Sequence, residues 1–400
     1  MPPKVYVTGL GIISAMGVGV NSTLKSFSTG KTFVRYPQIL ETQLKDQYPL
    51  GEVRFSNNEL KSILKIKQKE SYSRTSLLAI IAAREALASA NLLDSPLEIG
   101  VISGTSVGGM DRGEYLYDGF IRKNGKYNLH DAFVHDCGDS TNRILNNLGT
   151  KGYSSTISTA CSSAANAIML GARLIKSGKL QRVVAGGTDA LARFTLSGFR
   201  SLMILSDEHC RPFDQNRKGL NLGEGAGYVV LESEEILDKE NRKPICELTG
   251  YANTCDAFHQ TASSPDGNGA WLAISQALRL AGINPDQISY INTHGTATPN
   301  NDLSESIAMK RVFGENLPYF SSTKAFTGHT LGAAGGIEAV FSALSIRDNI
   351  IFPNLHFKDK MEETALNPVT QMTKDMNIEH VLSNSFGFGG NNSSLVFSSC

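Results

Sequence analysis

Short apolar runs alternate with helical patterns along the whole chain. In the first half, strands and helices are predicted in turn at 5–8, 75–90, 99–103, 156–158, 162–176 and 182–185. A second series starts after Pro244, with strands and helices predicted at 245–248, 271–281, 288–292, 319–321, 336–347, 381–384 and 394–397. Strands that alternate with helices are typical of α/β proteins. The repetition predicts two halves of similar plan, 1–245 and 246–400.

The composition favours one continuous globule. Of the 400 residues, 41% are hydrophobic and 19% are charged. This charged share lies below the roughly 25% of average soluble domains. Neither a low-complexity segment nor a linker rich in Pro, Gly and Ser separates the two halves. We therefore expect a large folded interior that continues across the boundary near residue 245.

Charge and cysteine usage argue against several classes of protein. The 38 basic and 38 acidic side chains cancel, which disfavours a nucleic-acid binder that relies on overall basicity. The six cysteines show neither a C-x-x-C pair nor zinc-type spacing, so we predict neither a disulfide scaffold nor a metal site. The longest aliphatic run, 77–83, is too short for a bilayer, which takes about 20 residues. We expect a cytoplasmic protein with no nucleic-acid, membrane or metal partner.

Cys161 lies where a predicted strand meets a predicted helix, among small residues. The unpaired N–H groups of a helix N-terminus lower the pKa of a thiol and raise its thiolate fraction. A strand-turn-helix junction also exposes a side chain at the edge of a sheet. Cys161 is therefore a candidate nucleophile, and the alternative is a buried structural cysteine.

Two histidines follow predicted strands in turns rich in Gly and Thr, at His294 and His329. Each could direct a neutral imidazole N–H at an oxygen that becomes negative during a reaction. The alternative for each is a structural histidine with its hydrogen bonds satisfied. Lys324, five residues before His329, could bind substrate charge or pair with a carboxylate, and Glu338 is a candidate partner. A salt bridge on a helix surface is the competing interpretation.

Three glycine-rich segments differ in what they can bind. The segment 387–392 could supply backbone N–H groups to an oxyanion hole together with the N–H of Cys161, although a plain hairpin turn is the alternative. The segment 9–11 lacks the third glycine of a dinucleotide fingerprint, and 223–227 has no following Gly-Lys-Ser/Thr. We therefore predict no nucleotide site at either.

Several motifs in order resemble those of β-ketoacyl-acyl-carrier-protein synthases, and most of all the elongating, KAS II-like branch. The motifs are Thr159–Ser163, Arg211–Asp214, Gly223–Gly227, Asn292–Thr296, Ser322–Lys324, Gly328–His329 and Asn384–Gly390. The resemblance implies a thiolase-like fold, five-layered αβαβα with duplicated halves. It also implies a homodimer, with a heterodimer of homologous subunits as the alternative.

The resemblance assigns the chemistry of an acyltransferase to this chain. It implies that Cys161 takes an acyl chain from the phosphopantetheine of an acyl carrier protein. His294 and His329 would stabilise the enolate formed when malonyl-carrier protein loses carbon dioxide. Lys324 would order His329 and its surroundings, with Glu338 as its partner. No tightly bound cofactor is implied, because the substrates arrive on the carrier protein.

Further roles follow from the same resemblance. Phe388 is similar to a gating phenylalanine, and its N–H would join that of Cys161 in an oxyanion hole, beside Gly389. Thr296 and Thr298 match positions that contact the pantetheine arm, and Val107 matches a position that sets acyl-chain depth. For the carrier protein, a basic patch is predicted from the residues Lys61, Lys65, Lys67, Lys69 and Arg74, together with Arg211. Lys65, Lys69 and Arg211 are its predicted docking residues, and a solvated helix face is the alternative.

The chain also departs from the usual family pattern. Ser162-Ser163-Ala164 stands where Ala-Thr-Gly is usual after the cysteine, and Asn391 stands where Thr is usual. These departures leave two pathways open, fatty acid elongation and a specialised type II route to a polyketide or aryl polyene. A non-catalytic partner similar to a chain-length factor is less favoured because Cys161 is present. A degradative thiolase is disfavoured because the glycine-rich segment holds Phe388 instead of a second cysteine.

Overall fold

The computed structural model describes residues 3–93, 98–122 and 129–400. The strands are β1 (Val5–Ser14), β2 (Gly17–Val18), β3 (Gly100–Gly104), β4 (Ser154–Ile157), β5 (Arg182–Asp189), β6 (Gly225–Ser233), β7 (Cys246–Cys255), β8 (Tyr290–Asn292), β9 (Tyr319–Ser321), β10 (His380–Gly387) and β11 (Asn391–Ser398). The helices are α1 (Val20–Ser28), α2 (Asn57–Ile63), α3 (Arg74–Ser89), α4 (Met110–Ile121), α5 (Cys137–Leu148), α6 (Ser163–Lys176), α7 (Arg193–Ser201), α8 (Glu234–Glu240), α9 (Asn268–Ala281), α10 (Pro299–Phe313), α11 (Lys324–Thr327) and α12 (Ala334–Asp348).

The strands form two five-stranded arrays of identical topology. The first array has the order β4-β3-β5-β6-β1, and the second has the order β9-β8-β10-β11-β7. Numbered within its own half, each array reads 3-2-4-5-1. A short pairing, Tyr6 with Glu247 and Val7 with Cys246, joins the two arrays where β1 meets β7. This shared strand order confirms the predicted duplication.

Helices occupy the space between the arrays and both of their outer faces. α6 packs on β5 and β3, α12 packs on β6 and β10, and these two helices contact each other. α12 is buried along almost its whole length, with Ala334–Ile346 all inside. Outside, α3 covers β1 and β6, and α9 covers β7 and β11. The fold is therefore the five-layered, thiolase-like αβαβα arrangement that the sequence predicted.

Two glycine-rich segments prove to be strand rather than ligand loop. A Cβ on Gly9 would lie 2.1 Å from the Ala86 carbonyl oxygen, and one on Gly11 would lie 1.9 Å from that of Ala82. These glycines let β1 pack against the backbone of α3. Gly227 serves β6 in the same way, because its Cβ would lie 2.4 Å from a backbone nitrogen of α12. The strand β6 was missed because glycines open it and hide its apolar run.

The predicted boundaries were most wrong for the longest strands. β1 was expected to end at Thr8, but it continues to Ser14 because it pairs with β6 as far as Gly225. β7 likewise extends to Cys255 through its pairing with β11. Among the described residues, no helix combines the length and the hydropathy that a membrane span requires.

Candidate active site

Cys161 lies between β4 and α6, in a tight turn buried under the glycine-rich segment of the other half. The turn needs an unusual backbone, because Ala160 adopts a φ of 52°, a left-handed conformation that non-glycine residues rarely adopt. Its carbonyl oxygen accepts hydrogen bonds from the Ser163 and Ser106 hydroxyls at 2.6 and 2.9 Å. The Cys161 side chain is only 5% exposed. The strand-turn-helix position predicted from the sequence is therefore present.

The two histidines meet the cysteine in one cluster. His329 Nε2 lies 3.1 Å from Cys161 Sγ, and the rings of His294 and His329 lie edge to face with centroids 5.3 Å apart. One donor atom from each of the three residues lies within 4.8 Å of the other two. A Cys/His₂ set of this size could also hold a soft metal ion such as zinc. The arrangement therefore brings one thiol and two imidazoles to within reach of a single reacting group.

A buried carboxylate holds the backbone of His294. The N–H groups of His294 and Gly295 donate to Glu305 at 2.9 and 2.8 Å, and the Asn384 side-chain amide donates at 3.1 Å. Burial raises the pKa of Glu305 to about 7. The sequence analysis missed Glu305. The available signal was an acidic residue on the inner face of α10, eleven residues after His294.

A second buried carboxylate links the nucleophile side to the segment after His329. Asp189 accepts hydrogen bonds from the N–H groups of Ser106, Val107 and Gly332. The His329 backbone itself is held by Asn221, whose carbonyl oxygen accepts its N–H at 2.7 Å. Asp189 was also missed, because its partners come from two segments that lie far from it in the sequence.

Lys324 contacts His294, which corrects the expectation that it would order His329. Its Nζ lies 3.3 Å from His294 Nδ1 and forms an ion pair with Glu338. All of these side chains are buried. The α11 helix starts at Lys324, and Gly328, with a φ of 73°, turns the chain away before His329. An ammonium that donates to Nδ1 leaves the hydrogen of a neutral imidazole on Nε2, so Lys324 fixes the tautomer of His294.

The glycine turn, Gly387–Gly390, closes over the cysteine between β10 and β11. The Phe388 N–H hydrogen-bonds to the Cys161 thiol, and the Phe388 ring stacks on Phe199 with centroids 5.7 Å apart. A Cβ on Gly387 would lie 3.2 Å from the Cys161 nitrogen. Gly389 is exposed and has a φ of 80°. The Phe388 N–H, one of the two groups predicted to form an oxyanion hole, therefore points at the thiol, and the turn lies close to the backbone nitrogen of Cys161, the other.

A cavity of about 260 Å³ opens onto the cluster. Thr296 and Thr298 line it, with their hydroxyl oxygens 2.9 Å apart. Val107 packs in an apolar cluster with Leu220 and Ile204, and these two residues line the cavity. Val107 itself is not one of the described residues that line this cavity.

Burial, rather than the helix terminus, dominates the ionisation of the cluster. Desolvation raises the pKa of the Cys161 thiol to about 12, although Lys324 and the Phe388 N–H oppose the shift. The expectation of a lowered thiol pKa was therefore wrong for the unliganded chain. Desolvation and then the charge of Lys324 hold the pKa of both His294 and His329 well below the usual value. Both imidazoles are neutral at pH 7, as expected.

The predicted docking residues are dispersed. Lys65 and Lys69 are exposed. In contrast, Lys61 donates to the carbonyl oxygens of Gln68 and Glu70, and Arg74 forms a buried ion pair with Glu224. Lys61 and Arg74 therefore stabilise the fold and are not free to contact a carrier protein. Arg211 pairs with Glu208 and lines a different cavity from Cys161.

Comparison with known families identifies the chain. The family described as "Beta-ketoacyl synthase, N-terminal domain" matches residues 3–236, and "Beta-ketoacyl synthase, C-terminal domain" matches residues 245–358. The chain belongs to the β-ketoacyl synthase family. The resemblance inferred from the motifs is therefore confirmed.

Curated relatives of this synthase share its full length. The 3-oxoacyl-(acyl-carrier-protein) synthase 2 of Staphylococcus aureus (strain COL) is 35% identical over 98% of this chain and 98% of its own. The protein of the same name from Synechocystis is 34% identical over 98% and 97%.

Solved structures of similar shape come from ketosynthases with partner subunits. The ishigamide ketosynthase/chain length factor superimposes with a TM-score of 0.94 at 28% identity over the whole of both chains. The ketosynthase ApeO in complex with its chain length factor ApeC from Xenorhabdus doucetiae gives 0.88 at 33% identity, covering 100% of this chain and 98% of that one.

Proposed function

We propose that this synthase catalyses decarboxylative Claisen condensation between an acyl thioester on Cys161 and malonyl-acyl-carrier protein, in fatty acid elongation. The observation that carries the proposal is the convergence of Cys161, His294 and His329 at the end of one cavity. The names of the full-length relatives support the same activity. The chemistry uses groups of this chain and substrates delivered on the phosphopantetheine of the carrier protein, with no tightly bound cofactor.

In the first half-reaction, the acyl group moves to the cysteine. The Cys161 sulfur attacks the thioester carbonyl while its proton passes to His329 Nε2, 3.1 Å away. A thiol of raised pKa needs such a base beside it. The N–H groups of Cys161 and Phe388 stabilise the oxyanion. The carrier thiolate then leaves and takes the proton, which regenerates neutral His329.

In the second half-reaction, malonyl-carrier protein loses carbon dioxide and leaves an enolate. The hydrogen on His294 Nε2, fixed there by Lys324, donates to the enolate oxygen. His329 also donates from Nε2, after its hydrogen has moved there from Nδ1, where the acyl-transfer step leaves it. Its Nδ1 has no hydrogen-bond partner among the described residues, so nothing described there holds the hydrogen on Nδ1. The enolate carbon attacks the acyl-Cys161 carbonyl, the C–S bond breaks, and the cysteine thiolate recovers a proton from water.

Both ends of the cavity fit this sequence of steps. Thr296 and Thr298 lie along the wall where a pantetheine arm would pass, and the Phe388 ring against Phe199 would gate an acyl chain that enters deeper. Val107 would then set the depth through the Leu220 side of the wall. We keep the polyketide or aryl polyene pathway as the alternative, because the neighbours in complex with chain length factors superimpose closely.

We further propose a cytoplasmic dimer, homodimeric or with a homologous subunit, that receives an acidic carrier protein. In the described part of the chain β4 pairs only with β3, which leaves one side of this edge strand open. Tyr117 and Phe133 expose 69% and 77% of their surfaces. An open strand edge and large exposed aromatic side chains each favour association with a second subunit. The exposed Lys65 and Lys69 are the candidate contacts for the carrier.

The test is product formation with a panel of acyl-carrier proteins and malonyl-carrier protein, followed by mass spectrometry. We expect β-ketoacyl-carrier products two carbons longer than the donor, together with released carbon dioxide, and no condensation product from Cys161→Ala. The preferred donor decides between the two pathways. Wild-type protein that forms no such product with any donor, or Cys161→Ala that still condenses, would refute the proposal.

A further inference from the structure

Two residues that flank the reacting groups meet directly. Ser162 follows the nucleophile, and Asn391 follows the glycine turn, 229 positions later. The Ser162 hydroxyl donates to Asn391 Oδ1 at 2.6 Å. Both positions differ from the usual family pattern described above, so the two departures lie in one contact.

The side-chain oxygen of Asn391, Oδ1, accepts three hydrogen bonds. Besides Ser162, the side-chain amides of Asn166 and Asn253 donate to it at 3.0 and 2.7 Å. Asn166 lies on α6 and also donates to the Thr159 hydroxyl, just before the nucleophile. In these three contacts Asn391 acts only as an acceptor. An aspartate carboxylate could accept the same hydrogen bonds, whereas an alanine methyl group could not.

The Ser162 hydroxyl has more than one acceptor within hydrogen-bond distance, so its contact with Asn391 is easily lost when residue 391 changes. It carries one hydrogen, and the Thr159 carbonyl oxygen lies 2.7 Å away in addition to Asn391 Oδ1. Without the acceptor on Asn391, the hydroxyl would turn to Thr159 and release the glycine turn.

Residues that follow β7 hold Gly389 and Gly390 of the glycine turn. Gly389 donates its N–H to the Gln260 carbonyl oxygen at 2.8 Å, and Gly390 accepts from the Asp256 N–H at 2.9 Å. Gly389 and Gly390 have φ values of 80° and 76°, a region open to glycine at little cost. Such a turn has several conformations within reach, and the contact of Asn391 with Ser162 ties its C-terminal end to the segment of the nucleophile.

We propose that Asn391 is a positioning residue that, through Ser162, holds the Phe388 N–H over Cys161 for the acyl-transfer step. The inference rests on the proposed function, because it concerns the oxyanion donors of that reaction. Its effect is confined to steps that use the N–H groups of Phe388 and Cys161. Decarboxylation of malonyl-carrier protein depends instead on His294 and His329, so it lies outside the reach of Asn391.

The experiment compares two rates in the same set of variants. The first is acylation of Cys161 by acyl-carrier protein in a single turnover, followed by intact-mass spectrometry. The second is carbon dioxide release from malonyl-carrier protein without an acyl donor. For Asn391→Ala we expect acylation to slow by about 10-fold, the effect of losing one hydrogen bond that positions the Phe388 N–H, and decarboxylation to change by less than about threefold.

Three further variants separate positioning from general damage. Asn391→Asp keeps the acceptor and should retain most of the acylation rate. Asn253→Ala removes a donor that does not touch the nucleophile side, and it should change acylation by less than about threefold. In the Ser162→Ala background, Asn391→Ala should have little further effect, because coupled residues are not additive.

The outcomes are distinct. Wild-type protein that is not acylated contradicts the proposed function itself. Acylation that is equal in wild type and Asn391→Ala, or a loss in both rates together with a lowered melting temperature, overturns the positioning role while leaving the proposed function intact. Additive effects of the Ser162 and Asn391 changes overturn the link between them.

Discussion

Replacing Lys324 by Met separates the two tasks that this buried lysine performs. Lys324 and Glu338 are each 2% exposed, so the substitution leaves a buried carboxylate without its cation. Breaking a buried ion pair by removing one partner typically costs about 3–5 kcal/mol of stability. We expect a loss of this size for Lys324→Met, measured by urea unfolding followed through Trp271, the single tryptophan.

The same substitution removes the donor at His294 Nδ1. Without it, the hydrogen of the imidazole is no longer fixed on Nε2, the atom that faces the enolate. Loss of one preorganised donor to a developing oxyanion costs about 10²–10³ in rate. We therefore expect malonyl decarboxylation by Lys324→Met to fall by about 10², the lower end of this range, because His294 remains in place.

The double variant Lys324→Met/Glu338→Gln distinguishes the two effects. A neutral amide no longer requires a cation, so most of the lost stability should return. The decarboxylation rate should stay low, because His294 still lacks its donor. A double variant that regains both stability and the wild-type rate would refute the argument, since Lys324 would then act only as the counterion of Glu338.

Three other outcomes follow from the site. His294→Ala and His329→Ala should each lower malonyl decarboxylation by about 10²–10³, and a variant within threefold of wild type would remove that histidine from the account. Because burial holds the pKa of both imidazoles well below 6.5, they stay neutral as the pH falls from 8 to 6. The histidines themselves should therefore add no acidic limb to the decarboxylation rate. Burial raises the pKa of Glu305 and Glu338 to about 7, so a limb from these carboxyl groups should disappear in Glu305→Gln/Glu338→Gln, and a limb centred near pH 6.5 that remains in this variant would contradict the prediction. Lys65→Glu with Lys69→Glu should raise the KM for carrier protein with kcat unchanged, and an unchanged KM at low salt would exclude this docking patch.

The sequence predicted the fold and the identity of the reacting groups because both depend on local signals. Alternating patterns predicted the α/β class and the duplication. The small residues in the turns around Cys161, His294 and His329 marked these three side chains as candidates. These residues do lie together, although they come from both halves of the chain. Their catalytic roles stay predictions until variants are measured.

The features of the site that the sequence could not predict depend on tertiary packing. The raised pKa of Cys161 comes from burial under the glycine turn, which its position before a helix does not show. The partner of Lys324 depends on the direction in which α11 points, and the chain alone suggested His329 because it is near in sequence. Glu305 and Asp189 act by accepting backbone hydrogen bonds from distant segments, and no local pattern marks such partners.

Site-resolved mass spectrometry of acylated protein shows whether Cys161 is the nucleophile. Wild-type protein is incubated with acyl-carrier protein, digested, and analysed by tandem mass spectrometry. We expect an acyl group on the peptide that contains Cys161, its loss on addition of malonyl-carrier protein, and no adduct in Cys161→Ala. An acyl group on another cysteine, or condensation that proceeds with Cys161 unmodified, would contradict this role of Cys161.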